Sequence, residues 1–254
     1  MLDNKISAYT YDAPIKYKTL TIYPVKMTDY FDFISCVGCL LIDKNSTPNP
    51  KIISMSYFDF IMYSYEECKK ESVEFYPIHE LDFLLRICLG LDRDAKASPI
   101  KYGIFKNKNV FEIDSEIFYS SDFDEIKTII LEQNDVEIPD YHIKKEIREE
   151  FELARKLKGS DIKMCDTEEQ MICLSIDTHF PLESIYNMTI RKYKKYMRRM
   201  DEKIHYEIYK TAAMSGFVEF KDKSFPKHWM RDLTEDNKYS DVLIPLEEVE
   251  KKFN

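Results

Sequence analysis

The spacing of apolar and polar positions changes several times along the chain, and each change predicts an element. Tyr17 to Val25 alternates β-branched or aromatic residues with polar ones. That is the period of a half-buried strand or one arm of a hairpin, ended near Pro24. From Thr28-Asp29 the spacing becomes three and four, with Tyr30, Phe33, Ile34, Val37, Leu40 and Leu41 on one wide face, which predicts a buried helix. Asn45 to Pro50 is a turn cluster. Two further helical segments follow: Ile52 to Tyr65, with Met55, Phe58, Ile61 and Met62 in register, and Pro77 to Leu91, with Ile78, Leu81, Leu84, Leu85 and Cys88 in register and Gly90 near its end. Lys101–Phe105 and Asn109–Ile113 form a predicted hairpin around Lys106-Asn107-Lys108, with Asn107 suited to a left-handed turn position.

Beyond Ser120-Ser121 the pattern is helical. Ser121 with Asp124 resembles a helix start, and Phe123, Ile126, Ile129 and Ile130 follow in register. Pro139-Asp140 opens a Lys- and Glu-rich helix to about Lys158, with Gly159 as its stop. Thr167-Glu168-Glu169-Gln170 fits a capping box, and Pro181 starts a short helix. A long helix runs from about Thr189 to Ser215 and ends at Gly216. Phe217 to Phe220 is a candidate short strand. The fold class is therefore α+β, predominantly α-helical, with small β-hairpin elements in the N-terminal half and a helical C-terminal half. The domain reading is an α/β domain over 1–120 and a helical domain over 121–254, although a single continuous domain fits the same pattern.

Composition narrows the function classes. Aromatics make up 14% and apolar residues 44%, enough for a substantial core. Glycine occurs at only 5 positions, which argues against Gly-rich phosphate-binding loops. The net charge of −9 disfavours nucleic acid except at a local basic cluster. The start of the chain lacks the basic and apolar regions of a signal peptide. The longest apolar stretch, near Phe31 to Ile42, contains Asp32 and is short of the ~20 residues that span a bilayer. These features, with six cysteines partly inside apolar runs, point to reduced thiols and the cytoplasm, without membrane attachment.

No catalytic or cofactor motif stands out. Cys36-Val37-Gly38-Cys39 has the C-x-x-C spacing, but it lies inside an apolar helical run and lacks a second pair of ligands, so core thiols are expected. The five histidines form neither H-E-x-x-H nor H-x-H, and the acidic pairs are scattered. There is no P-loop, Rossmann fingerprint or G-x-S-x-G. The expectation is no cofactor, no metal and no covalent catalysis.

The strongest local signal is Ile190 to Met214. Ile190, Tyr193, Met197, Met200, Ile204 and Ile208 recur at spacings that make one helical stripe. Eight bases against three acids give this segment about +5, and leave about −14 on the rest of the chain. The bases crowd the first half, where the helix dipole disfavours them unless something offsets the charge. Candidate offsets are an acidic partner, nucleic acid, or the chain's own acidic stretch around Glu146 to Glu152. Arg191, Lys192, Lys195, Arg198 and Arg199 are the candidate partner-binding residues. They are joined by Trp229, the only tryptophan, within Lys227-His228-Trp229, because Trp is enriched at binding hot spots.

Asn187 to Tyr193, His205 to Gly216 and Lys227 to Met230, together with Tyr23 to Phe31 and Met55 to Phe60, resemble a pattern in proteins of bacteriophages infecting Firmicutes. The chain is similar, over Tyr17 to Leu233, to tail assembly chaperones and related tail or baseplate morphogenesis factors. That resemblance implies a non-catalytic factor that holds the tape-measure protein or tail and baseplate subunits before the tail polymerises. The 11 Met, 18 Tyr and 16 Phe suit such a surface. Two other readings stand beside it: a virion structural or baseplate component, and a phage regulator or anti-defence protein binding a host protein or nucleic acid. Self-association is compatible with all three.

Overall fold

The computed structural model describes residues 2–46, 49–139, 141, 143, 145–158, 165–218, 220 and 225–233. The chain divides into two compact units, residues 1–140 with 180–194 and residues 141–179 with 195–254. The architecture is α+β and helix-dominated, with two small antiparallel sheets in the N-terminal half.

The first unit opens with α1 (Leu2–Tyr11) and a hairpin of β1 (Ile15–Tyr17) and β2 (Leu20–Ile22). Four helices follow: α2 (Tyr30–Val37), α3 (Pro50–Ser54), α4 (Tyr57–Lys70) and α5 (Tyr76–Leu89). Then come β3 (Ile100–Phe105), β4 (Lys108–Ile113), β5 (Glu116–Tyr119) and α6 (Ser120–Gln133). The helices α7 (Lys145–Lys158) and α8 (Thr167–Thr178) belong to the second unit, and α9 (Leu182–Tyr186) returns to the first. The long helix α10 (Ile190–Met214) is shared: residues 190–194 lie in the first unit and 195–214 in the second.

An aromatic cluster forms the middle of the first unit. Phe58 of α4 stands 5.4 Å from Phe111 of β4 and 5.1 Å from Phe123 of α6, and Phe111 stands 5.2 Å from Phe118 of β5, measured between ring centroids. All four rings are fully buried. Aromatic pairs at these separations each add about 0.5–1.5 kcal/mol beyond area burial. Beside them α5 packs on α2 and buries Ile78, Leu81, Leu84, Leu85, Ile87 and Cys88. Gly90 then ends α5 at φ 66°, where a Cβ would sit 3.3 Å from the Tyr23 ring.

A polar clamp closes the other side. Asn134, at the end of α6, is buried; its Oδ1 accepts from the Val25 backbone N–H (2.9 Å) and its Nδ2 donates to the Ile130 carbonyl (2.9 Å). Its neighbour Gln133 donates through Nε2 to the carbonyls of Ala13 (3.2 Å) and Ile22 (3.4 Å). The β1–β2 hairpin is thus held by side-chain amides more than 100 residues away, in a place where unmade hydrogen bonds are costly.

Several local expectations are corrected. The segment around Ile52 to Tyr65 is two helices, because the Ser56 hydroxyl accepts from the Asp59 N–H (3.1 Å) and caps a new start. The segment from Thr28 to Leu41 buries Phe33, Cys36, Val37 and Leu40 but leaves Ile34 exposed, so its buried stripe is narrower than the pattern suggested. The expected hairpin has a third strand, β5. Its two turns, Lys106-Asn107 and Asp114-Ser115, have positive φ at both positions, which matches the twist of the strands they join. The α6 helix is capped at Tyr119, two residues before the expected Ser121, with the Asp122 carboxylate accepting from the Tyr119 N–H (3.0 Å). In α8 the cap is Asp166, whose carboxylate accepts from the Glu169 N–H (2.9 Å), rather than Thr167. Phe217, Val218 and Phe220 are not in a strand. The α7 helix begins at Lys145 rather than near Pro139, whereas Asp140, His142 and Gly159 lie outside the described residues, as does 234–254.

The clamp makes a measurable claim. Asn134→Ala strands the buried Val25 N–H, while the Ile130 carbonyl keeps the backbone N–H of residue 134, so chemical denaturation should show a loss of about 1–3 kcal/mol. Ile104→Ala, at a side chain 75% exposed, should stay within about 0.5 kcal/mol of the parent. Equal effects at the two sites would refute the clamp.

Candidate functional site

The basic helix begins where three chain segments meet in the first unit. The Ile190 N–H donates to the Val25 carbonyl (2.9 Å), and the Met27 N–H donates to the Met188 carbonyl (2.8 Å). The Thr189 hydroxyl accepts from the Lys192 N–H (3.2 Å), which is an N-cap, and donates to the Asp12 carboxylate (2.8 Å). Asp12 also takes the Lys192 ammonium (3.1 Å). Arg191 donates to the Glu132 carbonyl (2.6 Å) and lies 5.0 Å over the Tyr9 ring, while Lys194 donates to the Asp135 carbonyl (2.9 Å). The negative end of α6 and Asp12 therefore offset the bases that the dipole of α10 disfavours. Sequence reasoning found the need for an offset but not Asp12, Glu132 or Asp135, which are more than 50 residues away and act partly through backbone carbonyls.

Within the second unit, α10 carries the 225–231 segment on one side. Arg199 donates to the carbonyls of Trp229 (2.8 Å) and Arg231 (2.9 Å). Arg231 reaches Glu202 at 3.4 Å. The Tyr206 ring stands 5.0 Å from His228 and the Tyr209 ring 4.9 Å from Phe225. Arg199, Glu202, Tyr206 and Tyr209 are spaced three and four apart and share that side of the helix. Of the six candidate residues, Arg191 and Lys192 are thus engaged by first-unit groups, Arg199 and Trp229 come together, and Lys195 and Arg198 are exposed on α10. Trp229 is half-buried.

Elsewhere in the first unit, two clefts of about 760 and 780 Å³ lie between α4 and the β3–β4 hairpin, sharing Met62, Glu66, Ile104 and Asn109. Two of the acids that line them, Asp59 and Asp82, are held by neighbours. Burial works to raise the pKa of Asp59, but hydrogen bonds from Ser56, Asn109 (2.8 Å) and Ser120 (2.9 Å) outweigh it and keep the carboxyl below its usual range. Asp82 accepts from Ser98 and from Arg86 (2.9 Å). The Asp59 carboxyl, held low, is therefore not poised as a general acid near neutral pH. Cys36 and Cys39 are free and buried; burial pushes the Cys36 thiol up to about 12 and Cys39 further, which is how unreactive core thiols behave. Among the described residues no group of three or more His, Cys, Asp or Glu could hold a metal ion, and no helix is long and apolar enough to cross a membrane.

One cation in the first unit has an unusual setting. The Lys127 ammonium of α6 sits 3.3 Å over the Tyr57 ring, whose hydroxyl donates to the Cys39 carbonyl (2.7 Å). Burial pulls the Lys127 pKa down to about 8, with Asp124 opposing the shift.

Residues 160–234 match the family described as YomV second domain, a family of phage origin. The match covers under a third of the chain and includes all six candidate residues. Comparison with curated proteins and with solved structures finds no match.

Lys127 gives a pH-dependent expectation. Its folded pKa, about 8, lies below the unfolded 10.5, so the folded chain binds fewer protons between those values. The charged form therefore lowers stability at pH 7, and that loss fades as pH rises from 8 towards 10.5. Lys127→Met should raise Tm at pH 7 by about 2–4 °C, and the gain should shrink by pH 10. A difference in Tm that stays flat or grows over that range would contradict the assignment. In a separate test, Arg199→Ala should free the 225–231 segment, speeding amide exchange at Arg231 and proteolysis between 225 and 231 without altering exchange at Val25.

Proposed function

We propose that this chain is a phage-encoded, non-catalytic binding factor in tail assembly, which holds the tape-measure protein or another tail or baseplate subunit in the host cytoplasm until assembly. The observation that carries the reading is the character of residues 195–214 within a region of phage-family similarity. This stretch of α10 presents exposed bases at Lys195 and Arg198 and, on a different side of the same helix, exposed apolar side chains at Ile204 and Ile208. A long amphipathic client needs that combination: area from apolar and aromatic groups, and charge for orientation and fast encounter. Nothing in the reading requires a covalent step.

The test is co-expression of the tagged chain with tape-measure and other tail proteins, followed by capture at about 150 and 500 mM salt. Tail proteins retained at both salts support the proposal. Lys195→Glu with Arg198→Glu should weaken that capture roughly 5–50-fold while leaving melting nearly unchanged, since both side chains are exposed. Arg199 is unsuitable for this test because it holds the backbone at Trp229 and Arg231. Capture of nucleic acid or a host protein in place of tail proteins, lost at the higher salt, would overturn tail assembly in favour of a regulatory role.

A further inference from the structure

The apolar stripe of α10 has two fates. Ile190 and Tyr193 are buried at 0% and 4% exposure, and Met197 and Met200 are half-buried. Ile204 is 43% exposed and Ile208 58%. At 3.6 residues per turn, Met197, Met200, Ile204 and Ile208 lie on the side opposite Arg199, Glu202, Tyr206 and Tyr209. The 225–231 segment covers the latter side, so within the second unit the helix has one covered face and, across from it, an apolar face that becomes more exposed towards the C-terminus.

We propose that this face binds the same face of a second copy, with the two α10 helices antiparallel and crossing near Ile204 and Ile208. The side chains bordering the stripe favour this occupant. Lys203 and Glu207 are both exposed and lie on the same edge of the stripe, one turn apart. Reversing a second helix about a point near residue 205 places Lys203 opposite Glu207 of the second copy, and Glu207 opposite its Lys203. The same register sets Ile204 against Ile208 of the second copy. One two-fold operation thus satisfies apolar and charged positions together, as an isologous interface requires. Within one helix, a Lys that precedes a Glu by four residues is the weaker order for an ion pair, so pairing between helices gains by comparison.

The overlap runs over residues 197–214, about five turns and roughly 27 Å, and lies entirely in the second-unit stretch of α10. A helix pair of this length buries on the order of 1,000 Å², the lower bound for a specific interface, so the dimer should be reversible with a Kd in the micromolar range. Self-association and client capture are separate outcomes, and either can fail without the other.

The full chain should be followed by sedimentation equilibrium from about 2 to 300 µM. The expected result is a monomer–dimer equilibrium, weakened at least 10-fold by Ile208→Arg. Glu207→Lys and Lys203→Glu should each weaken it, because each sets like charges opposite one another. An equimolar mixture of these two variants should associate again, as should the double variant K203E/E207K. Circular dichroism of each variant should match the parent, since all three positions are exposed. A chain that stays monomeric throughout the range would overturn the proposal. So would a dimer unaffected by Ile208→Arg, or single charge variants that do not recover on mixing.

Discussion

The Val25 backbone has both of its polar groups taken by residues far along the chain. Its N–H donates to the Asn134 side chain and its carbonyl accepts from the Ile190 N–H. A segment leaving a strand edge in the interior needs partners for exactly these groups, because a buried amide without a partner costs about 1–3 kcal/mol. The end of α6 meets the first need and the start of α10 meets the second. Gln133 holds the adjoining hairpin, and the carbonyls of Glu132 and, just past the end of α6, Asp135 receive Arg191 and Lys194. The junction therefore fixes where the basic helix starts and which of its bases are engaged within the first unit.

How much of this could be read from the sequence follows from the range of each interaction. The α4, α5, α6 and α10 helices leave periodic traces because their apolar faces repeat every three or four residues. The β5 strand left a weak one: only four residues long, it is joined to β4 by Asp114-Ser115, a turn that adopts the left-handed conformation without Gly or Asn. The Asn134 clamp and the Arg199 contacts left none. A side chain that bonds a backbone carbonyl or N–H imposes no residue type on its partner, so neither spacing nor composition records it. The same holds at Trp229. Trp229 stood out as the only tryptophan and so as a candidate partner anchor, but Arg199 engages this segment through the carbonyls of Trp229 and Arg231.

The charge pattern was legible as a problem and not as a solution. Six bases within residues 191–199 conflict with the dipole of their own helix. Asp12 supplies a full negative charge at the first turn, where it both accepts from the capping Thr189 and pairs with Lys192. The Glu132 carbonyl, in the last turn of α6, and the Asp135 carbonyl just beyond its end supply partial charges to Arg191 and Lys194. Two helix ends of opposite sign thereby stabilise one another, with Tyr9 beneath Arg191 as a cation–π surface.

A stripe of constant chemistry need not have constant burial. Ile190 and Ile208 are the same residue on the same side of one helix, yet one is fully buried and the other mostly exposed. Periodicity reports only that a face is apolar, and the physical cost of leaving such a face in water scales with its exposed area. Isolated exposed apolar residues are ordinary on protein surfaces. Ile204 and Ile208 differ from that background because they are consecutive members of a continuous stripe, lie across the helix from a face that is already covered, and are bordered by a base and an acid in an order that becomes its own charge complement when the helix is reversed. That self-complementary order gives the face specificity as well as hydrophobicity, since a partner helix without an acid and a base at the matching positions would leave Lys203 and Glu207 without opposite charges.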